Sequence, residues 1–355
     1  MTKYNIYSIP EEIRVPPYLN LLHRHTEGHD QDSFFEFLKF SWMQLTFSNL
    51  DKKNKHIVHI HWELNIYSSK YLIFAIIKTL VRIPALLIMK YKDIKIIWTK
   101  HNMSAHDSTY PLLDKLTNYL MWKLADAVII QEKAFLNTNI GKKYISKIVY
   151  VPPGNYIGVY GSLWNGNRVT LRNKFGIKDD EIAILALGDI RPYKVLPKVI
   201  TAVKQSCKNG ARLRLIIAGK ANLNYAKIIE NEINKHESVS LMLGYVANDK
   251  IPEFFAMTDY SICFYDESAL GSAAIMLSLS YGTPVITRDF PASELVIQGT
   301  SGYIFHDGGD LVNILTKLQK PNYENRQYII DTVILQDWAN AGKNLRRTYK
   351  ELWKD

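Results

Sequence analysis

Apolar residues in this chain follow two rhythms. Short runs dense in β-branched residues, "HIVHIHW" over 56–62, "IKIIWT" over 94–99, "DAVII" over 126–130 and "KIVYV" over 147–151, have the length and composition of buried strands. Between them, 71–90 and "LLDKLTNYLMWKLA" (112–125) place apolar residues at helical spacing. The alternation resumes after the polar stretch "GSLWNGNR" (161–168), with strands in "EIAILALGDI", "ARLRLIIAG", "VSLMLGYV", "DYSICFY" and "TPVITRD" and a helix in "VLPKVITAVKQSC". The chain closes on an amphipathic helical pattern, "DWANAGKNLRRTYKELWKD". Strands alternating with helices predict parallel sheets covered by helices. The pattern implies two similar α/β domains facing each other across a cleft, over 1–155 and 156–335, with a C-terminal helix over 336–355.

Composition sharpens this reading only in places. A length of 355 residues fits two domains rather than one core. Cys207 and Cys263 stand far apart among apolar neighbours and read as free thiols of a reducing compartment. "MTKYNIYSIPEEIR" has no apolar signal-peptide core, so a cytoplasmic location is expected. Of the net charge of +10, residues 1–155 carry +7 and the remainder +3. A basic first half suits an anionic partner such as a membrane surface or a diphosphate, or is a solvated lysine-rich surface. No interleaved basic and aromatic motif supports nucleic acid. "YLIFAIIKTLVRIPALLIMK" (71–90) is interrupted by Lys78 and Arg82, and Pro84 is expected to break or kink it. It is read as an amphipathic helix, packed on a sheet or lying on a bilayer.

Chemistry concentrates where strands end. "IIWTKHNMSAHDS" leaves a strand and sets His101, His106 and Asp107 in one loop, the place where open α/β sheets bind ligands. It is a candidate site or a solvated turn, with Asp107 as a helix cap. "GDIRPYK" places Gly188, Arg191 and Lys194 at a strand end, where fixed cations and backbone N–H groups could hold a developing negative charge. "ALGSAAIML" sets Gly271 and Ser272 at a helix start suited to a phosphate.

The order and spacing of "LALGDIRPYK", "LRLIIAGK", "LGYVANDKIPEFFAMTDYSICFY" and "SYGTPVIT", over roughly 180–310, resemble the nucleotide-binding domain of the group 1 glycosyltransferases of GT-B fold. "IVHIHWE", "WTKHNMSAHD" and "PPYLNLL" resemble members that assemble bacterial lipid-linked and exported polysaccharides. The resemblance implies two Rossmann-like domains and a nucleotide diphosphate sugar as donor. The acceptor implied is lipid-linked or a growing glycan, reached from the inner face of the cell membrane. It places the donor diphosphate on Lys194, with the usual arginine displaced to Arg191, and on the Gly271–Ser272 helix start. The base falls on Gly244 and Tyr245, and Glu294 matches a common family glutamate or is a surface charge.

One departure matters. Many retaining members carry a Glu-x7-Glu pair, and its two positions are Ala269 and Leu277 here, with Glu267 two residues away as a substitute. Loss of both carboxylates suggests an inverting reaction, which needs a base for the acceptor hydroxyl. By resemblance Asp107 is that base and His101 a donor-sugar contact. His106 is then an orienting group or reserve base, and Glu63 the next candidate base. "DQD" (Asp30–Asp32) formally fits a metal motif, but it is read as a cap in a polar loop before an amphipathic helix. His23, His25 and His29 lack companion ligands, so no metal is expected. A catalytically silent relative that binds glycan, and a nucleotide-sugar epimerase, are the alternatives.

Overall fold

The computed structural model describes residues 1–10, 17–104, 109–162 and 167–354. The chain forms two compact units: Met1–Gly154 with Ser268–Gly271 and Gln336–Asp355, and Asn155–Glu267 with Ser272–Leu335. The break therefore falls beside the expected 155/156, but two distant segments join the first unit. The C-terminal helix Trp338–Glu351 lies on helix Tyr18–Thr26. It fits there because Gly342 has no Cβ, which would stand 2.2 Å from the carbonyl oxygen of His25. Arg346 donates to that same oxygen at 2.9 Å. The sequence pattern puts 268–271 with their chain neighbours in the second domain, yet Leu270 is fully buried in the first unit's core. Local periodicity does not report a long-range partner.

The first unit is built on a seven-stranded sheet. Its strands are β1 (Thr2–Ile9), β2 (Gly28–Asp30), β3 (Ser33–Leu38), β4 (Lys55–Ile60), β5 (Lys95–Thr99), β6 (Ala127–Ile130) and β7 (Ile148–Tyr150). Their order is β2-β3-β1-β4-β5-β6-β7, and only β2 runs antiparallel to its neighbour. The expected cap and helix around 30–38 are instead this hairpin. "SFFEFL" alternates buried and half-buried positions, and Asp30 pairs with Lys350 at 2.9 Å rather than capping a helix. The order reverses between β1 and β4, a topological switch point, and the loop after β4 begins at His61.

Helix Leu72–Tyr91 is continuous through Pro84, so the expected break does not occur. The proline lies on the exposed side, while Ala75, Thr79, Leu86 and Met89 pin the other side to the unit. Lys78 and Arg82 do not make its outer face polar. The first donates to the Ser68 carbonyl at 2.6 Å and the second to that of Asn65 at 2.6 Å. What remains outward is Ile73, Ile77, Leu80, Val81, Leu87, Ile88 and Tyr91, an apolar stripe at helical spacing. By length and composition this is a helix that could cross a membrane.

The second unit carries six parallel strands, β8 (Ile182–Leu187), β9 (Leu213–Gly219), β10 (Val239–Leu243), β11 (Tyr260–Cys263), β12 (Val285–Arg288) and β13 (Gly302–Phe305). Their order β10-β9-β8-β11-β12-β13 is that of a doubly wound sheet, and the reversal lies between β8 and β11. Ile184, Leu215, Ile262, Ile286 and Phe305 fill the core with helix residues Val199 and Val203. The amino end of that β8–β11 junction is locked by Asp259. Its carboxylate accepts from the backbone N–H of Ala183 at 2.7 Å, lies 3.2 Å from the Arg172 guanidinium and also pairs with Arg168. Removing one partner of a buried pair strands the other, so Asp259→Ala should lower stability by about 3–5 kcal/mol. Urea unfolding of the full chain measures this; a loss under about 1 kcal/mol would show that Arg172 is held by its carbonyl partners alone.

Candidate functional site

Each unit gathers its chemistry at the carboxyl ends of its strands, and the two clusters are described separately. In the second unit, β8 ends at Leu187 and Gly188 takes a left-handed φ of +97°, which turns the chain away from the sheet. The neighbouring strand comes so close that a Cβ on Gly219 would stand 2.0 Å from the Gly188 carbonyl oxygen. A Cβ on Gly188 would stand 3.3 Å from the Nζ of Lys194, whose ammonium folds back to donate to the Leu187 carbonyl at 3.2 Å. Burial pushes the Lys194 pKa down. No carboxylate lies within ion-pair distance of it among the described residues. An ammonium taken out of water without an anion is costly, and this one sits at the sheet's switch point.

The neighbours of Lys194 come from the end of β11. Burial raises the Cys263 thiol to about 11, with Lys194 pulling against it, so the sulfur is a protonated, inert wall. Tyr265 is buried, stacks on Tyr193 with centroids 6.0 Å apart, and shares a 3.0 Å hydrogen bond with the Ser272 hydroxyl. Ser272 also caps helix Ala273–Ser280 by accepting from Ile275 N–H at 3.2 Å. Arg191 is partly exposed, 3.6 Å from Asp189. Glu267 is largely exposed and 3.8 Å from Arg288. Gly244 ends β10 in a left-handed turn, its N–H donating to Gly219 at 3.0 Å, and the Tyr245 ring stands exposed beside it. Glu294 is exposed in the short turn Pro291–Leu295. Thus Gly188 and Lys194 meet directly, Arg191 and Ser272 lie on flanking loops, and Glu294 has the surface position that its sequence context allowed.

Gly271 parts from Ser272 and belongs to the first unit, where a Cβ on it would stand 2.6 Å from the Glu132 carboxylate. Ser268 accepts from the Met103 N–H at 2.9 Å, and Ala269 bridges Asn102. The 268–271 segment therefore braces the loop that carries His101. His106 and Asp107 lie outside the described residues.

His101 is one of four packed imidazoles. Its ring stacks on Trp62 at 4.3 Å and meets the edge of Tyr18 at 5.2 Å. His61 stacks on His59 at 4.1 Å and stands 5.7 Å from His101, with His23 at 6.3 Å. Burial is the main cause that holds all four neutral, lowering His101 to about 3, His23 to about 4 and the other two well below their usual value. The His101 Nδ1 lies 3.2 Å from the Gln131 carbonyl oxygen, and the Gln131 amide donates to the Tyr18 hydroxyl at 2.9 Å. That network makes Nδ1 the donor and leaves Nε2, buried and without a partner among the described residues, as an acceptor. Among the described residues His61 has no partner for either ring nitrogen, whereas His59 satisfies both through Tyr349 and Thr99.

Beneath His101, Lys100 is fully buried. Burial lowers its pKa, Glu63 and Asp114 oppose the shift, and its ammonium donates to the Met103 carbonyl at 3.2 Å. Glu63 accepts from Asn118 at 3.0 Å, so the next candidate base after Asp107 and His106 is already engaged in a partly buried network. Sequence reasoning missed His59, His61, Gln131 and Lys100. Two histidines two apart at the end of β4 share one face of the strand, and that period was the available signal. Among the described residues no group of three His, Cys, Asp or Glu side chains is placed to hold a metal.

Comparison with known proteins extends these observations. Residues 167–333 match the family model of the glycosyl transferases group 1. The alpha-monoglucosyldiacylglycerol synthase of Streptococcus pneumoniae is 24% identical over 186 residues, 52% of this chain and 42% of that protein. The chain thus spans less than half the length of that relative. Anabaena HepE, solved in complex with UDP-glucose, superposes with a TM-score of 0.70 at 13% identity, covering 99% of this chain and 100% of that one. The sucrose-phosphate synthase of Thermosynechococcus elongatus superposes at 0.67 and 14% identity, covering 99% of both. The two parallel-sheet units have the GT-B fold, and the second of them is where the chain is similar to the group 1 glycosyl transferases.

Proposed function

We propose that this protein is a glycosyltransferase that moves a sugar from a nucleotide diphosphate sugar to a lipid-linked or growing glycan acceptor, in the assembly of bacterial surface polysaccharide. The observation that carries the reading is the Lys194 ammonium, set at the end of β8 without a carboxylate partner among the described residues. A diphosphate supplies the anion that this cation lacks, and the charge that grows on it as the sugar departs strengthens the contact. Arg191 and the helix start at Ser272 lie on the flanking loops and would share the load. The matched family domain supports a nucleotide-sugar donor, as does the resemblance to a fold solved with UDP-glucose.

The reaction we propose is inverting, with Asp107 taking the acceptor proton and the neutral His101 accepting a hydrogen bond from a sugar hydroxyl through Nε2. This rests on the absent carboxylates at Ala269 and Leu277, and on the prepared tautomer of His101. The apolar outer stripe of Leu72–Tyr91 and the basic first half favour work at the cytoplasmic membrane face, held peripherally on anionic lipid. A relative whose name denotes a glucosyl lipid points to the same kind of acceptor.

Lys194→Ala should weaken UDP binding by about 1.5–3 kcal/mol, the range for hydrogen bonds to charged groups, while uridine affinity barely changes. Calorimetric titration of both ligands decides this, and equal losses for the two would remove Lys194 from the diphosphate site. Asp107→Asn should leave UDP affinity within a factor of a few and lower acceptor-dependent turnover by about 10²–10⁴-fold. Near-normal turnover in that variant would transfer the role to another group, with Glu63 the next to test.

A further inference from the structure

The first unit contains a cavity of about 310 Å³ that neither the donor site nor the histidine cluster uses. It opens between helix Pro111–Leu124 and the Ile140–Tyr144 stretch, and Met103 and Ser104, which follow His101 in the chain, form part of its wall. Three kinds of surface meet in it. Trp122 and Tyr144 stack at 4.6 Å and give it an aromatic side, which Tyr119 and Ile140 extend. The indole N–H of Trp122 is buried and has no hydrogen-bond partner among the described residues. Asp114 and Asn118 form a polar end, tied through Tyr67 at 3.2 Å and Glu63 at 3.0 Å to the buried charges around Lys100. Lys115 and Lys143 line the cavity with exposed side chains, and neither is in an ion pair among the described residues.

The outside of this cavity is as informative as its lining. Helices Leu72–Tyr91 and Pro111–Leu124 are tied at both ends, where Tyr110 donates to the Lys70 carbonyl at 2.9 Å and Lys90 to that of Leu124 at 2.9 Å. They therefore lie side by side in the same direction. The exposed stripe Leu112, Leu116 and Tyr119 of the second helix adds to the apolar stripe of the first. Tyr119 belongs both to that stripe and to the cavity wall. Between Glu63 and Asp93 the chain has five basic residues and no acidic one. An apolar shelf, two ammonium groups at its edge without an ion-pair partner among the described residues, and a polar, aromatic recess behind them match the parts of one kind of molecule. Its tail lies in a bilayer, a phosphate follows, and its hydroxylated head enters the recess.

We propose that this cavity is the acceptor subsite, and that it binds a phosphate-bearing lipid with Lys115 and Lys143 at the phosphate and the Tyr119–Trp122–Tyr144 wall beside the head group. The inference rests on the transferase reading and names the acceptor's chemistry within it. The assay is binding of monodisperse dodecyl phosphate to the full chain, with inorganic phosphate and dodecyl glucoside as separate arms. Dodecyl phosphate should bind, inorganic phosphate should bind far more weakly, and the Lys115→Ala/Lys143→Ala double variant should lose affinity for dodecyl phosphate about tenfold. The milder Lys115→Gln/Lys143→Gln pair should lose the same, and unchanged UDP affinity shows that either variant is folded. Flotation with anionic phosphatidylglycerol vesicles separates the shelf from the recess. The double variants should still float at low salt through the apolar stripe, whereas Ile77→Glu/Val81→Glu should not. Equal dodecyl phosphate affinity in wild type and double variants overturns the subsite, as does inorganic phosphate binding as tightly as the amphiphile. Loss of UDP binding or of all sugar transfer in the unaltered protein would instead defeat the transferase reading.

Discussion

A half-buried ammonium with no carboxylate in ion-pair distance is an unfinished electrostatic arrangement, and among the described residues Lys194 is such a group. Nothing about a lysine demands that position. The turn at Gly188 creates it, the close passage of Gly219 keeps the backbone tight beneath it, and the buried Cys263 lies near it. A sheet folded only for stability would place a carboxylate there or turn the amine to solvent. The desolvation of Lys194 becomes favourable once an anion arrives, and the sheet's order directs ligands to this same junction of β8 and β11.

The first unit follows the same logic with the opposite chemistry. Its switch point presents neutral rings rather than a cation. Four histidines are kept uncharged by burial, and at two of them, His61 and His101, ring nitrogens have no partner among the described residues. Neutral imidazoles with open nitrogens suit hydroxyl groups, as the ammonium of the second unit suits phosphate. Lys100 holds the loop beneath His101, and the 268–271 segment braces it from the side. The donor and acceptor chemistry of this loop is thus preset by groups that would not touch a substrate themselves.

Much of this was legible in the sequence, and the rest was hidden for physical reasons. The strand run before Gly188 and the lysine six residues later announce a strand end with a cation, and the structure brings the two together. The alternation of strands and helices gave the two units. Strand β1 escaped notice because Tyr4, Asn5, Tyr7 and Ser8 lack the β-branched density of its neighbours, although it lies mid-sheet. Lys78 and Arg82 misled by identity alone. Read as a polar face, they instead fold back onto backbone carbonyls and leave the outward surface apolar. Residues 268–271 could not have been placed from sequence, since the partners that hold them lie more than a hundred residues away.

The proposed reaction requires that the molecule transfer sugar rather than only bind a nucleotide. The direct measurement is to incubate the protein with UDP-glucose labelled in the sugar, a bacterial lipid extract and, in parallel, no lipid. UDP release and label in the organic phase are then followed together, with GDP- and other UDP-sugars run as alternative donors. For at least one donor, UDP or GDP should appear in step with lipid-soluble label, and without lipid only slow hydrolysis should remain. Tight nucleotide binding with neither hydrolysis nor transfer from any donor would contradict it and leave a glycan- or nucleotide-binding relative of the transferases.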